Sequence, residues 1–230
     1  MSPKSASIIQ LGYWDMRGYG EPIRLLLRHL AIEFDDHRYH FGTKGNYNWN
    51  EWLRVKHTIG LDFPNLPYLI DGDLKINQSQ AILKYLARKY SLMPTDLKQI
   101  ARAEMLECLL IDIRQRFFGS VHRKPTLTMD QIDLMKQDYM GYLSQLECSM
   151  GDNHWLVGNQ LSYVDFLAYE YLDWYRQCIQ SDCFQYFPKL FYFVTRFEQL
   201  PTLKSYLDSD EYRKAHLLSP YASLGYRFKK

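Results

Sequence analysis

The chain has 230 residues, and its 28 Lys+Arg against 26 Asp+Glu leave a net charge of only +2. That balance excludes the strong positive field of a nucleic-acid or anionic-membrane binder, and no apolar run approaches the roughly 18 residues of a membrane span. With 47% hydrophobic and 23% charged residues, the chain can bury a sizeable core as one large domain or two small ones.

In chain order, the polar start Met1-Ser2-Pro3-Lys4-Ser5-Ala6-Ser7 lacks the apolar centre of a signal peptide. Ile8 to Tyr13 is strand-like, and Glu21 to Leu30 is helical, with Ile23, Leu26, Leu27 and Leu30 on one face. Pro22 suits a first helical turn. Phe34 to Phe41 reads as a second strand, followed by a loop, Gly42 to Asn48, and a short helix carrying Trp49, Trp52, Leu53 and Lys56. Tyr68-Leu69-Ile70 and Leu74-Lys75-Ile76 flank the turn Asp71-Gly72-Asp73, a hairpin signal, and Gln78 to Lys89 is helical. The order βαβ-α-ββ-α predicts an α/β unit with a small mixed sheet.

After Tyr90 no strand signal returns. Pro94 discourages helix just before it, and helical periodicity then runs over 98–122, 129–149, 162–179, 188–198 and 202–208. Ser162-x-x-Asp165 has the pattern of a capping box, which outweighs a catalytic Ser–Asp reading. The organisation expected is an α/β domain over 1–89, a linker over 90–97 and an all-helical domain over 98–230. Cys108, Cys148, Cys178 and Cys183 form no CxxC pair and fall in or beside helical patterns, so small buried hydrophobes without disulfides are expected, in the cytoplasm. The histidines show no metal-ligand spacing, and no metal site is expected.

Several positions carry possible chemistry. Pro67 precedes a strand, where a cis X-Pro bond would expose backbone groups to a ligand. Gln78-Ser79 opens a helix whose first N–H groups suit an anion, so the Pro67 strand and this helix start are two walls of a small-molecule site or simply an ordinary hairpin followed by a helix. Tyr13 ends the first strand, where its hydroxyl can donate to an anion or simply pack at the sheet edge. Trp52 and Lys56, four apart, offer an indole N–H and an ammonium on one face, donors for a carboxylate, or else a packed ring beside a solvated cation. Asp112 lies in the polar run Asp112-Ile113-Arg114-Gln115-Arg116, by default a solvated face. Gly18-Tyr19-Gly20 stands between strand and helix, but Ile23 occupies the place of the third glycine of a dinucleotide fingerprint, so a flexible turn is the better reading.

Taken together, the runs Leu11-Gly12-Tyr13-Trp14, Arg17-Gly18, Pro22 to Leu27, Gly60 to Gly72, Gln78-Ser79, Ala81-Ile82, Tyr85 to Lys89 and Ser162 to Phe166 resemble the glutathione transferases, most closely the mu class. The resemblance covers nearly the whole chain apart from a short N-terminal extension and a divergent C-terminal tail. The loop Gly42 to Asn48 is similar to the insertion that marks the class. The resemblance implies a thioredoxin-like first domain that binds glutathione, a helical second domain that lines a pocket for hydrophobic electrophiles, and a homodimer that works in detoxification. Glutathione is then a co-substrate, and no other cofactor is implied. Where redox members of the thioredoxin superfamily carry a cysteine, this chain reads Tyr13-Trp14-Asp15-Met16, so disulfide exchange is not expected.

By the same resemblance, the Tyr13 hydroxyl donates to the glutathione sulfur and stabilises its thiolate. Trp52 and Lys56, with Trp14 nearby, meet the glycyl carboxylate, and Leu66 ahead of cis-Pro67 pairs with the cysteinyl backbone. Ser79 holds the γ-glutamyl carboxylate, with Gln78 and Asn65 adding hydrogen bonds, and Asp112, reaching across from the partner subunit, pairs with the γ-glutamyl ammonium. Phe63 resembles the aromatic key inserted into the neighbouring subunit. Met16, Tyr19, Phe118, His122 and the tail after Leu217 shape the electrophile pocket. The chain departs from the class at Trp49, where an arginine is usual, and at His122, where a tyrosine is. The competing expectation is a non-catalytic carrier of apolar ligands, or a structural protein, on the same fold.

Overall fold

The computed structural model describes residues 8–122 and 126–226. The polar start Met1 to Ser7 lies outside the described residues. Strand β1 (Ile9–Trp14) is followed by helix α1 (Glu21–His29), β2 (Phe34–Tyr39), β3 (Gly42–Thr43), β4 (Asn46–Tyr47), α2 (Asn50–Val55), β5 (Tyr68–Asp71), β6 (Leu74–Asn77) and α3 (Ser79–Lys89). The main sheet has the order β2-β1-β5-β6, with β1 parallel to β2 and antiparallel to β5, and β5 antiparallel to β6. It is the small mixed sheet that the alternation of patterns predicts. The hairpin strands each run one residue further than the apolar pattern, leaving a two-residue turn, Gly72-Asp73.

The segment 42–48, expected as a loop, instead folds into a two-stranded hairpin, β3 with β4. Each strand is only two residues long, too short to carry a periodic signal.

From Leu97 onward the regular elements among the described residues are all helical: α4 (Leu97–His122), α5 (Met129–Met150), α6 (Tyr163–Cys178), α7 (Pro188–Glu198), α8 (Pro201–Leu207) and the short α9 (Asp210–Arg213), with a 3-10 turn at Cys183–Tyr186. The last turn and α9 are not marked by apolar periodicity, because four residues complete barely one turn. No helix among the described residues is long and apolar enough to cross a membrane.

One continuous core runs from Ile9 and Leu11 of β1 through α1 and α3 into the helices, where α6 is buried along most of its length. Asp165 starts that helix as the capping pattern predicts, accepting the Ser162 N–H at 2.8 Å on one oxygen and the Leu156 N–H at 2.9 Å on the other. A second, smaller cluster of Tyr13, Tyr39, Trp52, Leu61, Leu66 and Tyr68 fastens α2 and the β5 entry to the sheet. The expectation of buried cysteines fails for Cys108 and Cys148, which are exposed on α4 and α5, while Cys178 is half-buried and Cys183 buried. A helical pattern places a residue on a helix but does not give its face when the helix is polar on more than one side.

Candidate functional site

Between the sheet's end and the helices opens a cleft of about 660 Å³ with a mainly apolar lining. The end of β1 supplies Tyr13 and Trp14, and Met16 and Tyr19 follow from the next loop. Trp52, Lys56, Asn65 and Leu66 come from α2 and the segment before β5, and Phe118 and His122 from the last turns of α4. Ten of the expected site residues thus face one cavity.

Tyr13 is 3% exposed, and its hydroxyl oxygen accepts the Tyr19 N–H at 3.0 Å. Burial pushes its phenol well above the ordinary tyrosine range, with the Tyr19 N–H opposing the rise. The group is therefore neutral at physiological pH. A hydroxyl that already accepts a backbone hydrogen bond keeps its own proton for another acceptor, and no side chain or carbonyl among the described residues takes it.

The local backbone makes this contact possible. Gly18 adopts φ +41°, where a Cβ is strained, and a Cβ there would meet the Tyr13 hydroxyl at 2.6 Å. At Gly20 a Cβ would meet Tyr13 Cδ1 at 2.5 Å. Gly18-Tyr19-Gly20 is thus a cradle fitted around the Tyr13 ring rather than a merely flexible turn. The missing third glycine pointed away from a dinucleotide site but did not reveal what the first two do.

Aromatic packing fixes the neighbouring walls. Trp14 stacks on Phe41 with ring centroids 4.4 Å apart, and Trp52 is held edge-on by Tyr39 at 5.5 Å and stacked on Tyr68 at 6.1 Å. Tyr19 meets Phe118 edge to face at 5.0 Å, and Phe118 meets His122 at 5.1 Å. The His122 ring lies 3.3 Å from the Ser219 hydroxyl, and burial lowers its pKa, against a hydrogen bond to the Phe118 backbone. Burial thus favours the neutral form of the His122 ring.

The peptide bond Leu66–Pro67 is cis, and Asn65 Oδ1 accepts the Leu66 N–H at 2.9 Å. Gln78 stands at φ 71°, ψ 111°, an uncommon conformation for a residue with a side chain, and delivers buried Ser79 to the first position of α3. Pro67 directly follows the lining residue Leu66, but neither it nor Gln78 or Ser79 lines the cavity itself.

Two expected residues lie elsewhere. Asp112 is exposed in a separate hollow with Gln115, Arg116, Gly119, Ser120, Asp138 and Tyr142. Phe63 projects from the loop before β5 and is 74% exposed. Among the described residues there is no cluster of His, Cys, Asp and Glu able to hold a metal ion.

The model of the glutathione S-transferase N-terminal domain matches residues 9–88, and that of the glutathione S-transferase C-terminal domain matches residues 111–210. Glutathione S-transferase B of Cavia porcellus is 39% identical over 214 residues, covering 92% of this chain and 96% of its own. Glutathione S-transferase Mu 1 of Mus musculus is 38% identical, with the same 92% and 96% covered. The crystal structure of the glutathione S-transferase Blo t 8 is similar with a TM-score of 0.87 and 44% identity, over 94% of this chain and all of that one.

The chain belongs to the glutathione S-transferase family. Within it the chain groups with the mu class, and the family's architecture of a thioredoxin-like N-terminal domain and an all-helical C-terminal domain is the one described above. The family's N-terminal match holds Tyr13, Trp14, Trp52, Lys56, Asn65 and Leu66, and its C-terminal match holds Phe118 and His122.

Sequence reasoning missed Phe41, Leu53, Ser219 and Tyr221 as individual lining residues. Ser219 and Tyr221, in the tail after Leu217, line the cleft and lie beyond the family's C-terminal match. Tyr221 packs on Phe41 at 6.3 Å and on Trp49 at 5.8 Å, so the tail crosses to the α2 side of the cleft.

Proposed function

We propose that this chain is a glutathione transferase that joins the thiolate of glutathione to hydrophobic electrophiles, with Tyr13 as its catalytic residue. The observation that carries the reading is the buried, neutral Tyr13 phenol at the cleft, its oxygen engaged by the Tyr19 N–H and its own proton without an acceptor among the described residues. A free thiol with a pKa of about 8.5 is only a few per cent thiolate at neutral pH. A hydrogen bond that lowers this pKa by about two makes it mostly ionised, a selective stabilisation of about 2.7 kcal/mol. The thiolate then attacks the electrophilic carbon. A sulfur–carbon bond forms, and the leaving group departs with the electron pair of its own bond, giving a thioether.

The remaining residues hold the tripeptide. Trp14, Trp52 and Lys56 receive the glycyl carboxylate, and the Leu66 backbone beside cis-Pro67 pairs with the cysteinyl unit. Ser79, at the start of α3, receives the γ-glutamyl carboxylate with Gln78 and Asn65, where the helix dipole favours an anion. Met16, Tyr19, Phe118 and His122 line the electrophile side. Glutathione is consumed as co-substrate, and the reaction uses no further cofactor.

A homodimer belongs to this reading. The exposed position of Asp112, away from the cleft of its own chain, supports a role in which the partner's Asp112 meets the γ-glutamyl ammonium. The exposure of Phe63 supports its use as a dimer contact. The division into a glutathione-binding domain over 1–89, a linker over 90–97 and an electrophile-binding domain over 98–230 belongs to the same proposal, as does a cytoplasmic location.

The test is conjugation of glutathione to a generic aryl halide by the wild type and by Tyr13→Phe. Activity in the wild type that falls steeply in the variant supports the reading. Glutathione bound by a wild type that conjugates nothing would move the assignment to a carrier of apolar ligands.

A further inference from the structure

Arg17 does not line the cleft, yet it fixes the loop that holds Tyr13. Its guanidinium donates to both oxygens of Glu170, at 3.0 and 2.6 Å, and to Asp173 at 2.7 Å. The three side chains are at most 1% exposed. The guanidinium also lies 4.2 Å from the centroid of the Tyr212 ring. Both carboxylates are themselves braced, Glu170 by the Trp174 indole at 2.5 Å and Asp173 by Arg176 at 2.5 Å.

The backbone around Arg17 is tied just as closely. The Arg17 N–H donates to the His216 carbonyl at 2.8 Å and the Gly18 N–H to Leu217 at 3.0 Å. The Arg17 carbonyl accepts from Gly20 at 3.1 Å and from Glu21 at 2.9 Å. Arg17 to Gly20 is therefore one turn, pinned at its base by a side chain sunk into α6. The N–H that reaches the Tyr13 oxygen, that of Tyr19, lies in the middle of this turn.

We propose that Arg17 is a positioning residue for Tyr13: the α6 carboxylates, acting through the Arg17 fork, hold the turn in the register that aims the Tyr19 N–H at the Tyr13 hydroxyl. A buried ion pair is weak evidence of stability as such. A planar guanidinium bound by both oxygens of one carboxylate does, however, fix orientation as well as distance. The hydrogen bond it secures polarises the Tyr13 O–H and sets its direction, so its loss weakens donation to the bound thiolate. The inference rests on the reading of Tyr13 as the thiolate's donor.

The experiment is a pH titration of glutathione bound to the full-length protein, followed by the ultraviolet absorbance of its thiolate, in the wild type, Arg17→Lys and Glu170→Gln. Arg17→Lys keeps the charge and loses the fork, while Glu170→Gln keeps the shape and weakens one arm. The expected result is a bound-thiol pKa higher by about half to one pH unit, with kcat/KM at neutral pH lower by roughly 1.5- to threefold and recovering at alkaline pH. The KM for glutathione stays within about twofold of wild type, since no group that holds the tripeptide has been removed. Variants that melt earlier but keep the wild-type thiol pKa overturn the proposal and leave the Tyr13 reading intact. A wild type whose bound thiol titrates like the free one overturns the Tyr13 reading, and the proposal with it. Should Arg17→Lys fail to fold, Glu170→Gln decides by the same readout.

Discussion

The backbone N–H of Tyr19 reaches the hydroxyl oxygen of Tyr13 at 3.0 Å, so the loop that leaves β1 turns back on the residue near the strand's end. The contact requires a close approach of backbone to ring, which Gly18 and Gly20 permit. It leaves a buried phenol whose proton is available at the cleft.

Gly20 has φ −80° and ψ −30°, which any residue adopts, so Gly20→Ala tests the contact without backbone strain. Its new Cβ would meet the Tyr13 ring at 2.5 Å, and the ring must shift. Overpacking of this kind costs about 1–3 kcal/mol in stability. The larger effect is on chemistry. Misplacing the donor is expected to lower kcat/KM by about tenfold or more, measured at a temperature well below the variant's melting point. Unchanged kcat/KM would mean that the position of the Tyr13 ring does not govern the rate.

His122→Phe removes the contact with Ser219 and keeps a ring against Phe118. Rates should change for some electrophiles and not for others, with the KM for glutathione within about twofold of wild type, because only lining on the electrophile side is altered. Burial lowers the His122 pKa, so the protonated form is disfavoured in the folded state. The contribution of His122 to stability is therefore present above the ordinary histidine range and is lost as pH falls through it. Steady-state kinetics with several electrophiles checks the first point, and a large loss of glutathione affinity would refute the assignment.

Trp49 is half-exposed on the cleft wall, where the mu class usually carries an arginine. Trp49→Arg adds a cation beside Lys56 for the glycyl carboxylate. An exposed pair of this kind is worth about 0.2–1 kcal/mol, and the KM for glutathione should fall by up to about fivefold. The loss of the Tyr221 contact works in the opposite direction for the tail. Calorimetric titration with glutathione measures the balance, and weaker binding in the variant would show that the Trp49–Tyr221 packing matters more than the missing charge.

Asp165 tests the fold apart from the chemistry. Burial pushes its carboxyl up to about 6, against hydrogen bonds from Leu156 and Ser162. The folded state thus holds this proton more tightly than the unfolded chain does. The contribution of the group is full below the ordinary aspartate range and is lost as pH rises through about 6. Asp165→Asn abolishes that dependence and turns an amide donor toward one of two backbone N–H groups. The variant should be the less stable, by about 1–3 kcal/mol. The gap should narrow by about 1 kcal/mol between roughly pH 5 and 7.5. Chemical denaturation at the two pH values checks both signs.

Much of this fold is legible in the chain because its signals are local. Apolar periodicity marks α1, α3 and the long helices, the Asp71-Gly72-Asp73 turn marks the hairpin, and Ser162 with Asp165 marks the start of α6. The strand end at Tyr13 and the helical spacing of Trp52 and Lys56 left packing and binding both open, and it was the family resemblance that favoured binding; all three line the cleft. What was not legible depends on contacts between distant segments. The burial of Arg17 against Glu170, 153 residues away, resembles no sequence pattern, and charged residues are ordinarily read as surface. Tyr221 reaches Phe41 and Trp49 only through the path of the tail. The exposure of Cys108 and Cys148 depends on which side of a helix faces its neighbours.

The central claim is that the Tyr13 hydroxyl stabilises the glutathione thiolate, and the most direct measurement is the pKa of the bound thiol in the wild type and in Tyr13→Phe. The expected wild-type value lies about two pH units below that of free glutathione, with a return toward the free value in Tyr13→Phe and glutathione still bound by the variant. A bound thiol with the same lowered pKa in both proteins would contradict the claim.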